Sequence, residues 1–176
     1  MLVIECYRID YPGWCQNEGS EPLRRSEEQP LGLYFGPADP ALSGLRVLIA
    51  NDAEQIEVHL DSRTNLLRAE PDYFGQPAPV EIDSPLHQLL GQPLLQIFLG
   101  ECAGFYGNLL TTAIRLVFEH DTLTFYNGAD EGCYFLGLEN NWWGDYTQLY
   151  EVEWRDASQW LKLLVAESPG MPHQLV

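Results

Sequence analysis

The chain is poor in positive charge. Nine of its 176 residues are basic against 26 acidic ones, and Lys162 is its single lysine. The shortage is sharpest between Arg68 and Arg155, where thirteen carboxylates stand against Arg115 alone. A formal charge of −17 repels nucleic acid and anionic membrane surfaces, so neither is expected as a partner. Long hydrophobic runs are missing too: no stretch approaches the ~18–20 apolar residues that cross a bilayer as a helix. The opening "MLVIECYRID" has no basic leader and no long apolar core. It reads as a first strand rather than a signal peptide, and a cytoplasmic location is expected.

The four cysteines, Cys6, Cys15, Cys102 and Cys133, form no C-x-x-C pair, and none lies at a zinc-ligand spacing from a histidine. They read as reduced thiols, and neither a metal nor a cofactor is expected. No G-x-S-x-G elbow, P-loop or G-x-G-x-x-G is present, which removes the common routes to serine nucleophiles and nucleotide binding. A low-pKa thiol needs cations around it, and this chain offers few. "NGADEG", Asn127–Gly132, has oxygen ligands at a turn but not the spacing of a calcium loop.

What remains is a chain of ordinary apolar content, 45%, that is long enough to bury a core as one domain spanning 1–176. Alternation marks strands at Leu2–Ile9 and Glu54–Ser62, Leu45–Asp52 reads as a buried strand, Leu94–Cys102 as a further strand, and Leu31–Pro37 as a short strand or loop lining. The pairs 45–52 with 54–62, and Leu110–Phe118 with the return after His120–Asp121, read as hairpins. "DSPLHQLLGQP" has a helix start at Ser84–Pro85 and a stop at Gly91 and Pro93. "DASQWLKLLVAE", Asp156–Glu167, reads as an amphipathic helix capped by Asp156. A long irregular loop is expected over 10–30 and a tail over 168–176. The links are mostly too short for parallel crossovers. The expected fold is α+β: a mainly antiparallel sheet of about five to eight strands with two short helices packed on it.

The segment "NNWWGDYTQLYEVEW", Asn140–Trp154, concentrates tryptophan and acid in one place. Trp142 and Trp143 are adjacent, so on an extended chain they point to opposite sides and one sheet face cannot bury both. Tyr150, Val152 and Trp154 alternate with Glu151 and Glu153, giving one apolar and one acidic side. Exposed Trp and Tyr ringed by carboxylates suit a protein contact. The candidate partner-binding residues are therefore Trp142, Trp143, Asp145, Tyr146, Glu151 and Glu153, with Asp130 and Glu131 extending the acidic surface. The same side chains also fit a second reading, a carboxylate-based glycoside hydrolase or carbohydrate-binding module using the Trp142–Trp154 region.

"LHQLLGQPLLQI", Leu86–Ile97, followed by "AIRLVFEHDTLTFYNGADEG", Ala113–Gly132, resembles small acidic bacterial proteins that include candidate immunity proteins of polymorphic toxin systems. The resemblance covers those two segments, largely as a strand–turn–strand pattern. It implies a non-enzymatic inhibitor that binds a basic protein, such as a toxin, through one face. No catalytic residue carries over from it.

Overall fold

The structure, a computed structural model, describes residues 4–9, 30–49, 55–68, 77–104, 106–128, 132–137, 152–164 and 173–175. Eleven strands run through them: β1 (Ile4–Ile9), β2 (Gly32–Pro37), β3 (Ser43–Ile49), β4 (Ile56–Ser62), β5 (Pro77–Pro79), β6 (Leu94–Ala103), β7 (Leu109–Phe118), β8 (Thr122–Asn127), β9 (Gly132–Leu136), β10 (Glu153–Asp156) and β11 (His173–Gln174). All the pairings are antiparallel. They build two sheets, one of six strands in the order β11-β4-β3-β2-β1-β5 and one of five in the order β10-β6-β7-β8-β9.

Antiparallel sheet dominates, as the short links required, but a single sheet of five to eight strands is corrected to two sheets. They share one core, into which the first contributes Leu33, Phe35, Leu45, Val47, Val58 and Leu60, and the second Ile97, Leu99, Ile114, Leu116, Leu123 and Phe125. The alternating positions of both hairpins supply these residues, so the period-2 pattern and the core agree. Central strands β2 and β3 are buried along nearly their whole length. The first sheet is therefore covered on both faces, and a smaller cluster of Ile9, Tyr34, Leu48 and Leu66 lies on its outer side.

The two expected helices are also corrected. Ser84 does open a helical element: its Oγ accepts from the Leu86 N–H at 3.3 Å and Pro85 follows. Leu90 is already extended, with Gly91 at φ 78° behind it, so the chain completes only a 3-10 turn, Pro85–Leu89. The second stretch begins as strand, because Asp156 still pairs with Phe98 and the Ala157 N–H still bonds the Ile97 carbonyl at 2.8 Å. A 3-10 turn, Ser158–Lys162, then buries Trp160. Asp156 Oδ1 accepts from the Ser158 N–H at 2.8 Å, so the acid caps a turn rather than a long helix. Among the described residues the one α-helix is α1 (Arg63–Arg68), opened by Ser62, whose Oγ accepts from the Asn65 N–H at 3.0 Å.

Candidate functional site

Of the candidate partner-binding residues, Glu153 falls among the described ones, while Trp142, Trp143, Asp145, Tyr146, Glu151, Asp130 and Glu131 lie outside them. Glu153 is exposed at the start of edge strand β10, directly opposite Glu101 of β6. Like charges facing each other across a ladder are unfavourable. Arg155 relieves this pair by donating from Nε and Nη2 to Glu101 Oε1, at 2.8 and 2.6 Å. Those bonds raise the Arg155 pKa above the usual guanidinium value. Arg155 is thus spent on Glu101, and Glu153 keeps its charge for solvent. Asp156, exposed at the other end of β10, is held below the usual carboxylate pKa by its hydrogen bonds with Ser158. The alternation read from the sequence also appears in the packing: a Cβ added at Gly100 would meet Val152 Cγ1 at 2.9 Å and Trp154 Cη2 at 3.3 Å. Val152 and Trp154 therefore lie over the same glycine, and Glu153 projects to the other side.

Register arranges the outer face of the five-stranded sheet in two cross-strand rows. One runs Asp156, Phe98, Arg115, Thr124, Phe135; the next runs Trp154, Gly100, Ala113, Tyr126, Cys133. The small side chains at 100 and 113 let the Trp154 ring lie low across the sheet and reach the Arg115 guanidinium, whose carbon sits 3.9 Å from the ring centroid. Arg115 Nε donates to Thr124 Oγ1 at 3.2 Å. Tyr126 and Phe135 pack with ring centroids 6.1 Å apart, tilted by 55°. Burial, helped by the adjacent Cys133 thiol, pushes the Tyr126 phenol up to about 12. Phe98, Trp154, Tyr126 and Phe135 are all half-buried, so this face presents ring area to solvent around one cation.

A second polar constellation occupies the outer side of the six-stranded sheet. Tyr34, Arg46 and His59 are cross-strand neighbours on β2, β3 and β4. Asp61 follows His59 on the same face and retains 5% of its surface. Its Oδ2 lies 3.6 Å from Arg46 Nη1, while Asp61 Oδ1 and Arg46 Nε are buried without a hydrogen-bond partner. Gly44 makes room for this layer: a Cβ there would come within 2.6 Å of the Tyr34 phenol oxygen and 2.5 Å of the Phe35 carbonyl. His59 Nε2 sits 3.0 Å from Glu57 Oε2. Burial raises the Asp61 pKa above 3.8, against the pull of Arg46. Burial lowers the His59 pKa below 6.5, outweighing the Glu57 hydrogen bond.

These shifts have opposite consequences for stability. As pH falls through 6.5, the unfolded chain protonates its histidine before folded His59 does, so stability is lost from 6.5 downward. Asp61 binds its proton more readily in the folded state, so further acidification toward 3.8 returns part of that loss. Urea denaturation at about pH 7 and about pH 5 should show the wild type losing more stability than His59→Gln. Equal losses in the two proteins would show that His59 has its unperturbed pKa when folded.

Among the described residues no three His, Cys, Asp or Glu side chains are grouped closely enough to hold a metal ion. Asn127 and Gly132, the ends of the turn weighed for calcium, pair with each other across β8 and β9. Cys102 is buried on β6 and Cys133 half-buried on the far edge strand β9. An open hollow of about 290 Å³ lies beside the β7–β8 turn, lined by Phe118, Glu119, His120, Asp121, Thr122 and Gly137. Gln88 donates to Asp121 there at 2.7 Å, and Gln92 accepts from the His120 backbone at 3.0 Å. These bonds tie the turn to the 3-10 element and the residues just after it.

Neither Arg115 nor the Arg46–Asp61 pair was among the sequence candidates. The signals were small: Arg115 is the lone base of an acidic window, and Tyr34 stands between glycines at 32 and 36. Comparison with protein-family models, with curated proteins and with solved structures finds no match.

Proposed function

We propose that the chain is a non-enzymatic acidic binding protein that engages a basic protein partner, in the manner of an immunity-type inhibitor, through the β10 side of its five-stranded sheet. The observation that carries this reading is the charge arrangement along β10. Glu153 and Asp156 are exposed at its two ends, and its one cation, Arg155, is held by Glu101. The half-buried rings of Trp154 and Phe98 lie alongside and supply contact area of the kind that dominates protein interfaces. The net charge of −17 adds a field that accelerates encounter with a cationic surface. Sugar stacking on Trp154 has less support, because the Arg115 guanidinium occupies one face of that ring.

The test is a pull-down with the tagged chain, washed at low and at high salt, followed by kinetics on any partner recovered. A basic protein should be retained at low salt and lost at high salt, since exposed charges are screened over about 8 Å at physiological ionic strength. Glu153→Gln/Asp156→Asn should lower the association rate about three- to tenfold and flatten its salt dependence. Retention that ignores salt and both substitutions would sink the reading.

A further inference from the structure

Arg115 lies on β7, the middle strand of the five-stranded sheet, and faces outward. Two contacts fix its guanidinium. The Trp154 ring covers one face at 3.9 Å, and Thr124, itself fully buried, takes the Nε proton at 3.2 Å. No carboxylate among the described residues forms an ion pair with it. Asp156, in the same cross-strand row, directs its carboxylate to the Ser158 N–H instead. Burial, with no opposing charge, lowers the Arg115 pKa from the usual guanidinium value. Arg115 is part-buried, so the ring and the hydroxyl replace water on one face and at Nε and hold the group in one orientation. A guanidinium stacked on its face and bonded at Nε still has its Nη edge for in-plane donation, the geometry that receives a carboxylate through two parallel bonds.

We propose that Arg115, set by Trp154 and Thr124 amid the half-buried rings of Phe98, Tyr126 and Phe135, is the receptor for a carboxylate of the protein partner, an Asp or Glu side chain standing among that partner's basic residues. This rests on the reading that the chain binds a protein through this face. It adds a rule of selection to that reading. A uniformly cationic surface would set a like charge over a half-buried arginine, whereas a partner with one acid at that point gains a charge-assisted pair while its bases meet Asp156 in the same row and reach Glu153 around the β10 edge. The alternation of negative edge and positive centre fixes register and rejects basic proteins that lack the acid.

The test begins without a partner. Benzoate and its neutral isostere benzamide are titrated into the full chain, and the Arg115 Nε–Hε and Trp154 indole N–H signals are followed by NMR. The expected result is a saturable shift of both signals with benzoate, little with benzamide, and no benzoate response at the indole in Arg115→Gln. Arg115→Lys keeps the charge but loses the fork and should bind benzoate more weakly than wild type. A benzoate shift that persists in Arg115→Gln, that benzamide reproduces, or that never saturates overturns the receptor. The second arm uses the partner recovered by salt-sensitive pull-down. Arg115→Gln should speed dissociation about tenfold or more with an unchanged association rate, the reverse of the effect at Glu153 and Asp156. Unchanged dissociation overturns the assignment to the partner's carboxylate and leaves the binding reading intact. Failure to recover any partner, with the benzoate site confirmed, fails the binding reading and the protein source together.

Discussion

Arg46→Met is expected to destabilise the fold by about 2–4 kcal/mol, because it leaves Asp61 ionised, little exposed and without its opposing charge. Asp61 keeps 5% of its surface, and the Arg46 cation 3.6 Å away is the largest of the influences that favour its charge, ahead of hydrogen bonding with the Ser62 backbone and the Asn65 side chain. Burial already raises the Asp61 pKa. Removing the opposing cation raises it further, so Arg46→Met should regain stability relative to wild type as pH falls and the carboxyl takes up a proton. The pair itself is imperfect, with Arg46 Nε lacking a hydrogen bond. Replacing both partners by apolar side chains removes two desolvation costs together. Arg46→Met/Asp61→Leu should therefore recover most of the loss and can exceed wild type. Urea denaturation of the three proteins reads this directly. A single-variant cost under about 1 kcal/mol would show a pair that water reaches, of the kind seen on open surfaces.

That cluster also shows where sequence reading stops. The alternation of Ile56, Val58 and Leu60 with Glu57, His59 and Asp61 correctly separates two sides of β4. It says nothing about whether the polar side meets solvent, and here Tyr34, Leu48, Ile9 and Leu66 cover part of it. The hairpins were legible because two features agreed, alternation on each arm and a turn at His120–Asp121, where the Phe118 N–H bonds the Asp121 carbonyl at 2.8 Å. The number of sheets was not legible, since alternation assigns a residue to a face without naming the sheet that face belongs to. Strands β5 and β11, of three and two residues, carry no pattern and are defined by the neighbours they join. The Ser84–Pro85 start was readable in type, but not its length, since the chain already turns extended at Leu90. In the acidic aromatic segment, the Trp154 and Glu153 sides were separated correctly by period 2. The role of Arg115 was hidden because its partners Thr124 and Trp154 come from strands on either side.

Phe125→Ala is expected to cost about 3–5 kcal/mol, the range for deleting a fully buried aromatic ring. Phe125 retains 1% of its surface, sits on β8 opposite Ile114 and Tyr134, and belongs to the core that both sheets share. Its ring edge also lies against Gly132, where a Cβ would come within 2.9 Å of Phe125 Cζ. The same Cβ would run into the backbone carbonyl of Pro30, just ahead of β2. The first sheet's chain thus passes directly over the β8–β9 edge of the second, with glycine the residue that permits the approach and Phe125 filling the space beneath. Backbone held on that side cannot readily move in to close a cavity, so the loss should lie toward the upper end of the range, as for sites that relax little. Phe125→Leu keeps most of the volume and should cost less than about 1.5 kcal/mol. Denaturation curves for the two variants separate the contributions. If alanine costs no more than leucine, the two sheets collapse into the vacated space, and the contact between Pro30 and Gly132 is not the fixed seam that its closeness implies.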